Sequence, residues 1–262
     1  MKKINLGEQS LIDIPESLWQ DANADVDELY LHNNQLSSLP EMIGGMQHLR
    51  VLDLGHNKLV NIHSVLGDLH KLEFLYLADN QLAELPSSLK NLKQLIYLNL
   101  SSNPLHVLPD WIGELKNLIE FRSYYAGLKS LPETIGNLKN LMELHLKNNS
   151  LTSLPDSIGE LKNLKKLSLM DNPLKSLPNS MGNLESLKEL DLRNNQLSSL
   201  PDSIGSLKKL EFLDLRANQL TELPGSLGSL PNLEKLDLRW NPFLGYPRFL
   251  DELAARGCVV FR

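Results

Sequence analysis

The sequence predicts an α/β repeat fold in which every repeat contributes one strand and one short helical turn. Three observations predict it. Leucine fills 61 of 262 positions, well over twice its ordinary share of roughly a tenth. The apolar total is nevertheless an ordinary 42%, so leucine stands where other apolar residues would. The apolar positions also recur every 23 residues, without insertion or deletion, in repeats opening at Val26, Leu49, Leu72, Leu95, Leu118, Leu141, Leu164, Leu187, Leu210 and Leu233. A period held this strictly means that one structural environment is used many times.

Counting from the opening residue, positions 1, 4, 6, 11, 14, 18 and 21 are apolar. In the sixth repeat these are Leu141, Leu144, Leu146, Leu151, Leu154, Ile158 and Leu161. Positions 4 and 6 lie two apart and share one face of an extended strand, so 3, 5 and 7 face the other way. Position 9 is asparagine in nine repeats of ten, Ala126 being the exception. Its short amide accepts and donates at once, which suits backbone groups that stacking buries. Proline at position 15, in nine of ten, fixes φ, removes a donor and ends the pairing. The following Ile/Leu-Gly-x-Leu stretch spaces apolar residues three apart, as a 3₁₀ or helical turn requires. Glycine at position 19, in eight repeats, is expected to permit a tight bend.

The repeat from Leu141 to Gly159, with Leu144, Leu146, Asn149, Leu151, Leu154, Pro155 and Ile158 in their columns, resembles the leucine-rich repeat. It is similar to the 23-residue subclass of many bacterial leucine-rich repeat proteins, plant intracellular Ras-group-related proteins, Ras-pathway scaffolds and Roco-type kinases. The resemblance runs from about Ile4 to Leu253. It implies a curved solenoid, a horseshoe with a parallel sheet on its concave face and 3₁₀ or short helices and extended turns outside.

A stack of repeats needs caps at both ends. Residues 1–25 form a degenerate N-terminal repeat in which Ile4, Leu6, Leu11, Ile14, Pro15 and Leu18 match at an offset of 25, with Trp19 available as a lid. Residues 26–246 hold the ten regular repeats of a single domain, and 247–262 close it. Pro247 and Gly257 bracket Arg248 to Arg256 as a short helix, and Val259 and Phe261, alternating with Cys258 and Val260, read as an edge strand. The fifth repeat breaks the rules: Ser123 takes a core leucine position and Ala126 the asparagine position, beside Tyr124 and Tyr125. Two readings stay open, a packing compromise in which tyrosine fills the space left by Ser123, and a binding hot spot.

Strands ~4.8 Å apart would line up the outward residues along a surface roughly 50 Å long. Tyr30, His32, Val51, Asp53 and His56 open it. Phe74, Tyr76, Tyr97, Arg122, Tyr124 and Tyr125 follow, and the last third carries Asp191/Arg193, Asp214/Arg216 and Asp237/Arg239 with Phe212 and Trp240. Clustered aromatic residues and arginine are what protein interface cores favour. The expected partner site is therefore Phe74, Tyr76, Tyr97, Arg122, Tyr124, Tyr125, Phe212, Arg216, Arg239 and Trp240. The Asp-x-Arg ladder is as readily a self-neutralising one.

No phosphate loop, nucleophile elbow or His-Glu-x-x-His metal helix occurs, so no catalytic residue and no cofactor is expected. His32, Asp53, His56 and Asp79 are read as ordinary surface side chains rather than a metal site, because nothing makes three ligands converge. Cys258 is expected to be a half-buried thiol. A net charge of −6 and a pI of 5.7 argue against nucleic acid. One cysteine, no apolar run of membrane length and no signal peptide point to a cytoplasmic protein, with export as an effector the alternative; a monomer is expected, although exposed terminal strands could pair between chains. Two function classes follow: a non-catalytic protein-binding module, or the recognition subunit of a system whose kinase, GTPase or ubiquitin ligase lies elsewhere. The imbalance of charge lies within residues 1–94 (7 Lys and Arg, 13 Asp and Glu); such an end suits a basic protein partner, although a merely solvated, anti-aggregation end is the more common meaning.

Overall fold

The computed structural model describes residues 2–19, 25–242, 245 and 247–262; residues 20–24 of the N-terminal cap lie outside them. The chain divides into two compact units, Met1–Gly127 and Leu128–Arg262. In the N-terminal unit, strands β1 (Lys2–Asn5), β2 (Val26–Tyr30), β3 (Val51–Asp53), β4 (Phe74–Tyr76), β5 (Tyr97–Asn99) and β6 (Glu120–Arg122) lie in chain order, each parallel to the next. In the C-terminal unit, β7 (Glu143–His145), β8 (Lys166–Ser168), β9 (Glu189–Asp191), β10 (Phe212–Asp214), β11 (Lys235–Asp237) and β12 (Val259–Phe261) do the same. Each unit is thus an open solenoid with one strand per turn.

Register follows the sequence period. Val51 faces Phe74, Phe74 faces Tyr97 and Tyr97 faces Glu120, while Ile4 faces Leu29 at the offset of 25. The middle residue of each strand from β3 to β11 is buried, as is Leu29 of β2, and both Leu144 and Leu146 are fully inaccessible. Position 9 supplies the polar counterpart of this spine. Asn172 Oδ1 accepts from Leu151 N–H at 3.1 Å, and its Nδ2 donates to the carbonyls of Leu146 and Leu169, both at 3.0 Å. The same bonds recur at Asn57, Asn80, Asn195 and Asn218. Where Ala126 interrupts the ladder, Leu105 N–H turns to the Asn103 carbonyl at 2.8 Å and His106 N–H bonds the Ala126 carbonyl at 3.0 Å. His106 takes a φ of 58° there, so the loop re-folds around the missing amide.

Three expectations change. Position 8 is not an outward strand residue but a left-handed turn residue in all ten repeats, with φ between 52° and 62°; only five of the ten are asparagine or aspartate. Tyr125 (φ 55°) and Trp240 (φ 62°) therefore hold a conformation that costs a bulky L-residue roughly 1–2 kcal/mol. Glycine at position 19 serves close approach rather than bending: none of these glycines has a positive φ, and a Cβ at Gly159 would sit 2.3 Å from the Ser180 carbonyl oxygen of the next 3₁₀ turn. In the fifth repeat, Tyr125 is 58% exposed and does not fill the space beside the fully buried Ser123; Phe121, the largest fully buried side chain, shares Ser123's inward face instead.

Proline at position 15 stands just before each five-residue 3₁₀ turn in extended conformation, its carbonyl accepting from position 18, as Pro155 does from Ile158. His63 takes the proline's place in the second repeat with φ −65° and ψ 142°, its ring Nδ1 accepting from Val65 N–H. At the end of the C-terminal unit, helix α1 (Phe249–Ala255) buries Leu250 and Leu253, starts two residues past Pro247 and stops before Gly257, whose φ is +97°. Cys258 is buried, not half-buried, and burial pushes its thiol pKa up. At the other end Leu18 is buried, while Trp19 is only half-buried. Among the described residues no helix is long and apolar enough to cross a membrane.

Candidate functional site

The leucines point inward, so every strand must show its flanking positions 3 and 5 on the opposite face. In the N-terminal unit this brings the expected aromatic residues together. The Tyr97 ring lies 4.7 Å from Tyr76 and 6.4 Å from Phe74, centroid to centroid, and the Arg122 guanidinium carbon is 5.8 Å from the Tyr97 ring centre. All three rings are half-buried. Burial pushes the Tyr97 phenol up to about 12 and raises Tyr76 as well, Asp53 adding to the second shift. Arg122 extends the cluster: its Nε donates to Glu120 and it is hydrogen-bonded to Tyr124. Burial works against its charge, but those bonds raise its pKa above the usual arginine value. Tyr124 meets Tyr125 edge to face at 6.3 Å, so the strained turn residue forms the exposed end of the row.

The C-terminal unit assembles a second group. Trp240, 70% exposed, lies 5.5 Å from the Arg239 guanidinium and 6.0 Å from that of Arg216. Phe212 stands apart from this stack, beside a shallow hollow of about 140 Å³ lined also by Glu189, Asp191, Asp214 and Lys235. That volume is below the ~300–1,000 Å³ of small-molecule pockets. The Asp-x-Arg triplet is a closed ladder. Arg193, Arg216 and Arg239 each hold the aspartate two residues earlier at 2.6–2.9 Å, and Arg193 and Arg216 also reach the next aspartate at 3.4 Å. Asp237, fully buried, loses solvation, but Arg239 and Arg216 hold its carboxyl below the usual aspartate range. Arg216 and Arg239 thus offer their stacked faces rather than free hydrogen-bonding edges.

The four residues weighed as a metal site form two separate contacts. His32 Nδ1 lies 3.3 Å from Asp53, without hydrogen-bond geometry, and His56 Nδ1 lies 3.4 Å from Asp79. Two contributors went unnoticed in the sequence. Phe261 also meets Arg239, its ring centre 4.9 Å from the guanidinium, and Glu120 anchors Arg122. Glu120 could have been found, being two residues before its arginine on the same face, the spacing of the Asp-x-Arg pairs. Phe261 carried no such signal, because its place depends on how α1 returns the chain to β11.

Family models described as leucine rich repeat match residues 1–59, 24–82 and 185–243, and further models described as leucine-rich repeat region and leucine rich repeat match 120–195 and 94–115. Comparison with curated proteins gives no match. Among solved structures, the functional domain of InlJ from Listeria monocytogenes is similar with a TM-score of 0.82 at 21% identity, covering 100% of this chain and 53% of that one. The Listeria monocytogenes internalin InlF gives a TM-score of 0.60 at 21% identity, with 100% and 86% covered. The plant peptide hormone receptor RGFR1, in complex with RGF2, gives 0.53 at 26% identity, with 92% and 51% covered. The chain thus spans about half the length of the InlJ and RGFR1 chains. InlJ is described as including a cysteine ladder, where this chain, with one cysteine, runs a ladder of asparagine. With the first of those models alone matching more than half of its residues, the chain belongs to the leucine-rich repeat family.

Proposed function

We propose that the chain is a non-catalytic protein-binding module that captures a polypeptide partner on its exposed strand face. Phe74, Tyr76, Tyr97, Arg122, Tyr124 and Tyr125 form the main site in the N-terminal unit. Phe212, Arg216, Arg239 and Trp240, with Phe261 added, form an accessory site in the C-terminal unit. The observation that carries this reading is Tyr97, held between Tyr76, Phe74 and Arg122 on the face that the leucine spine leaves free. A pre-packed ring loses little side-chain entropy on binding, which is the property of an interface anchor. The RGFR1–RGF2 complex, a peptide hormone receptor with its ligand, supports a polypeptide as the class of partner.

The test is capture by the wild type against Tyr97→Ala combined with Tyr124→Arg, with the melting temperature of both. The reading expects the double variant to lose the partner and to melt within a few degrees of the wild type. Capture unchanged in a folded double variant would remove the site from these strands.

A further inference from the structure

We propose that the segment held by the N-terminal aromatic cluster is basic, an extended stretch carrying lysine or arginine, and that Asp53 and Asp79 are its charge anchors. The proposal rests on the cluster being the binding site and adds the chemistry of its occupant. The charge balance of the two units comes first. Residues 1–127 hold 9 Lys and Arg against 16 Asp and Glu, whereas 128–262 hold 17 against 16. The acidity of the chain therefore belongs to the unit that carries the cluster.

Pairing on the strand face then sorts the carboxylates. Arg50 holds Glu73 through two bonds of 2.7 and 2.9 Å, Arg122 holds Glu120, and Lys3 lies 3.6 Å from Glu28. Among the described residues, Asp53 and Asp79 have only histidines as ion-pair partners, His32 and His56. Asp53 flanks the rings as the register partner of Tyr76 across β3 and β4, and Asp79 stands three residues past Tyr76, in the left-handed turn that follows β4. The negative potential of Asp53 reaches the cluster, adding to the upward shift that burial gives the Tyr76 phenol.

Three kinds of occupant can be compared. An acidic segment would be repelled by both carboxylates. A neutral apolar one would cover the rings but strip water from Asp53 and Asp79 without replacing it. A cationic side chain meets the carboxylate and the electron-rich ring face together. Arg122, the cation already at Tyr97, is committed to Glu120 and Tyr124, so it does not supply that charge.

Fluorescence anisotropy with labelled octalysine and labelled octaglutamate tests the proposal. The proteins are wild type, Asp53→Asn with Asp79→Asn, and a charge-matched control, Asp68→Asn with Glu84→Gln, whose exposed carboxylates belong to the 3₁₀ turn and the connection after the strand. Octalysine is expected to bind the wild type, to lose about tenfold in affinity with the first pair and to stay within about twofold with the control. Binding should also weaken as salt rises from about 50 to about 500 mM. Equal losses in both variants would reduce the effect to diffuse net charge, and no octalysine binding, or tighter octaglutamate binding, would overturn the proposal. If octalysine fails while partner capture still depends on Tyr97 and Tyr124, only the basic occupant falls; if capture ignores those tyrosines, the binding site itself falls.

Discussion

Asn172 accepts the amide proton of Leu151, 21 residues earlier, at 3.1 Å. Each repeat that has asparagine at position 9 thereby caps a backbone N–H of the one before it, so the stack is held by a polar ladder, broken at Ala126, as well as by the leucine spine. Removing the amide takes the acceptor from Leu151 N–H in a buried setting, while the carbonyls of Leu146 and Leu169 lose one bond each and keep a second donor, Asn149 Nδ2 at 2.9 Å and Asn195 Nδ2 at 3.0 Å. Asn172→Ala should therefore cost about 2 kcal/mol, as one unmet buried N–H costs roughly 1–3 kcal/mol and the two carbonyls remain bonded. Asn163→Ala, which removes an exposed bond to the Lys139 carbonyl, should cost under about 1 kcal/mol. Urea unfolding of both checks the ranking; equal losses would contradict it.

The packing role of the position-19 glycines separates two alanine variants. Gly159→Ala drives a methyl group into the Ser180 carbonyl oxygen and Cβ, 2.3 and 2.7 Å away, whereas a Cβ at Gly45 meets nothing within 4 Å. The first should destabilise by about 1–3 kcal/mol; the second should be neutral or stabilise by up to about 1 kcal/mol through the unfolded chain. Thermal melts of the pair decide it.

Tyr125 sets stability against recognition. Its φ of 55° suits asparagine, which tolerates the left-handed region through its short polar side chain. Tyr125→Asn is expected to leave the unfolding free energy unchanged or raise it by up to about 1 kcal/mol, while weakening partner binding about tenfold. A variant that loses stability and keeps its affinity would assign the tyrosine to packing.

Asp237 gives a pH signature. Its folded pKa is depressed below the ordinary 3.8, so its contribution to stability is present above that value and is lost as pH falls toward the folded pKa. Asp237→Asn should cost roughly 2 kcal/mol at neutral pH, less than a fully buried pair because Arg216 and Arg239 keep part of their solvent. The gap between wild type and variant should narrow as pH falls from neutral to below the ordinary 3.8, toward the folded pKa. Denaturant unfolding at both pH values measures it, and a gap that does not change with pH would refute the assignment.

Strands and core were legible because Leu144 and Leu146 recur in register with every other repeat, and burial enforces that pattern. The asparagine ladder was legible in kind, since position 9 combines a small size with both hydrogen-bonding senses. Position 8 was not, because residues as different as Asp79, Ser102, Ala217 and Trp240 share one backbone conformation there, set by the turn rather than by the side chain. Glycine at position 19 looks the same in a sequence whether it bends a chain or admits a neighbour; only the Ser180 carbonyl beside Gly159 separates the two. Tyr76 and Tyr97 could be placed on one face by counting, but their 4.7 Å contact joins positions 5 and 3 of successive repeats, a diagonal that column reading does not follow.

The most direct measurement of the binding claim is site-specific photocrosslinking. A photoreactive phenylalanine analogue replaces Tyr97 in one variant and Trp111, on the 3₁₀ side of the same unit, in another. The account predicts a discrete polypeptide adduct from position 97 and none from position 111; an adduct from 111 alone would contradict it.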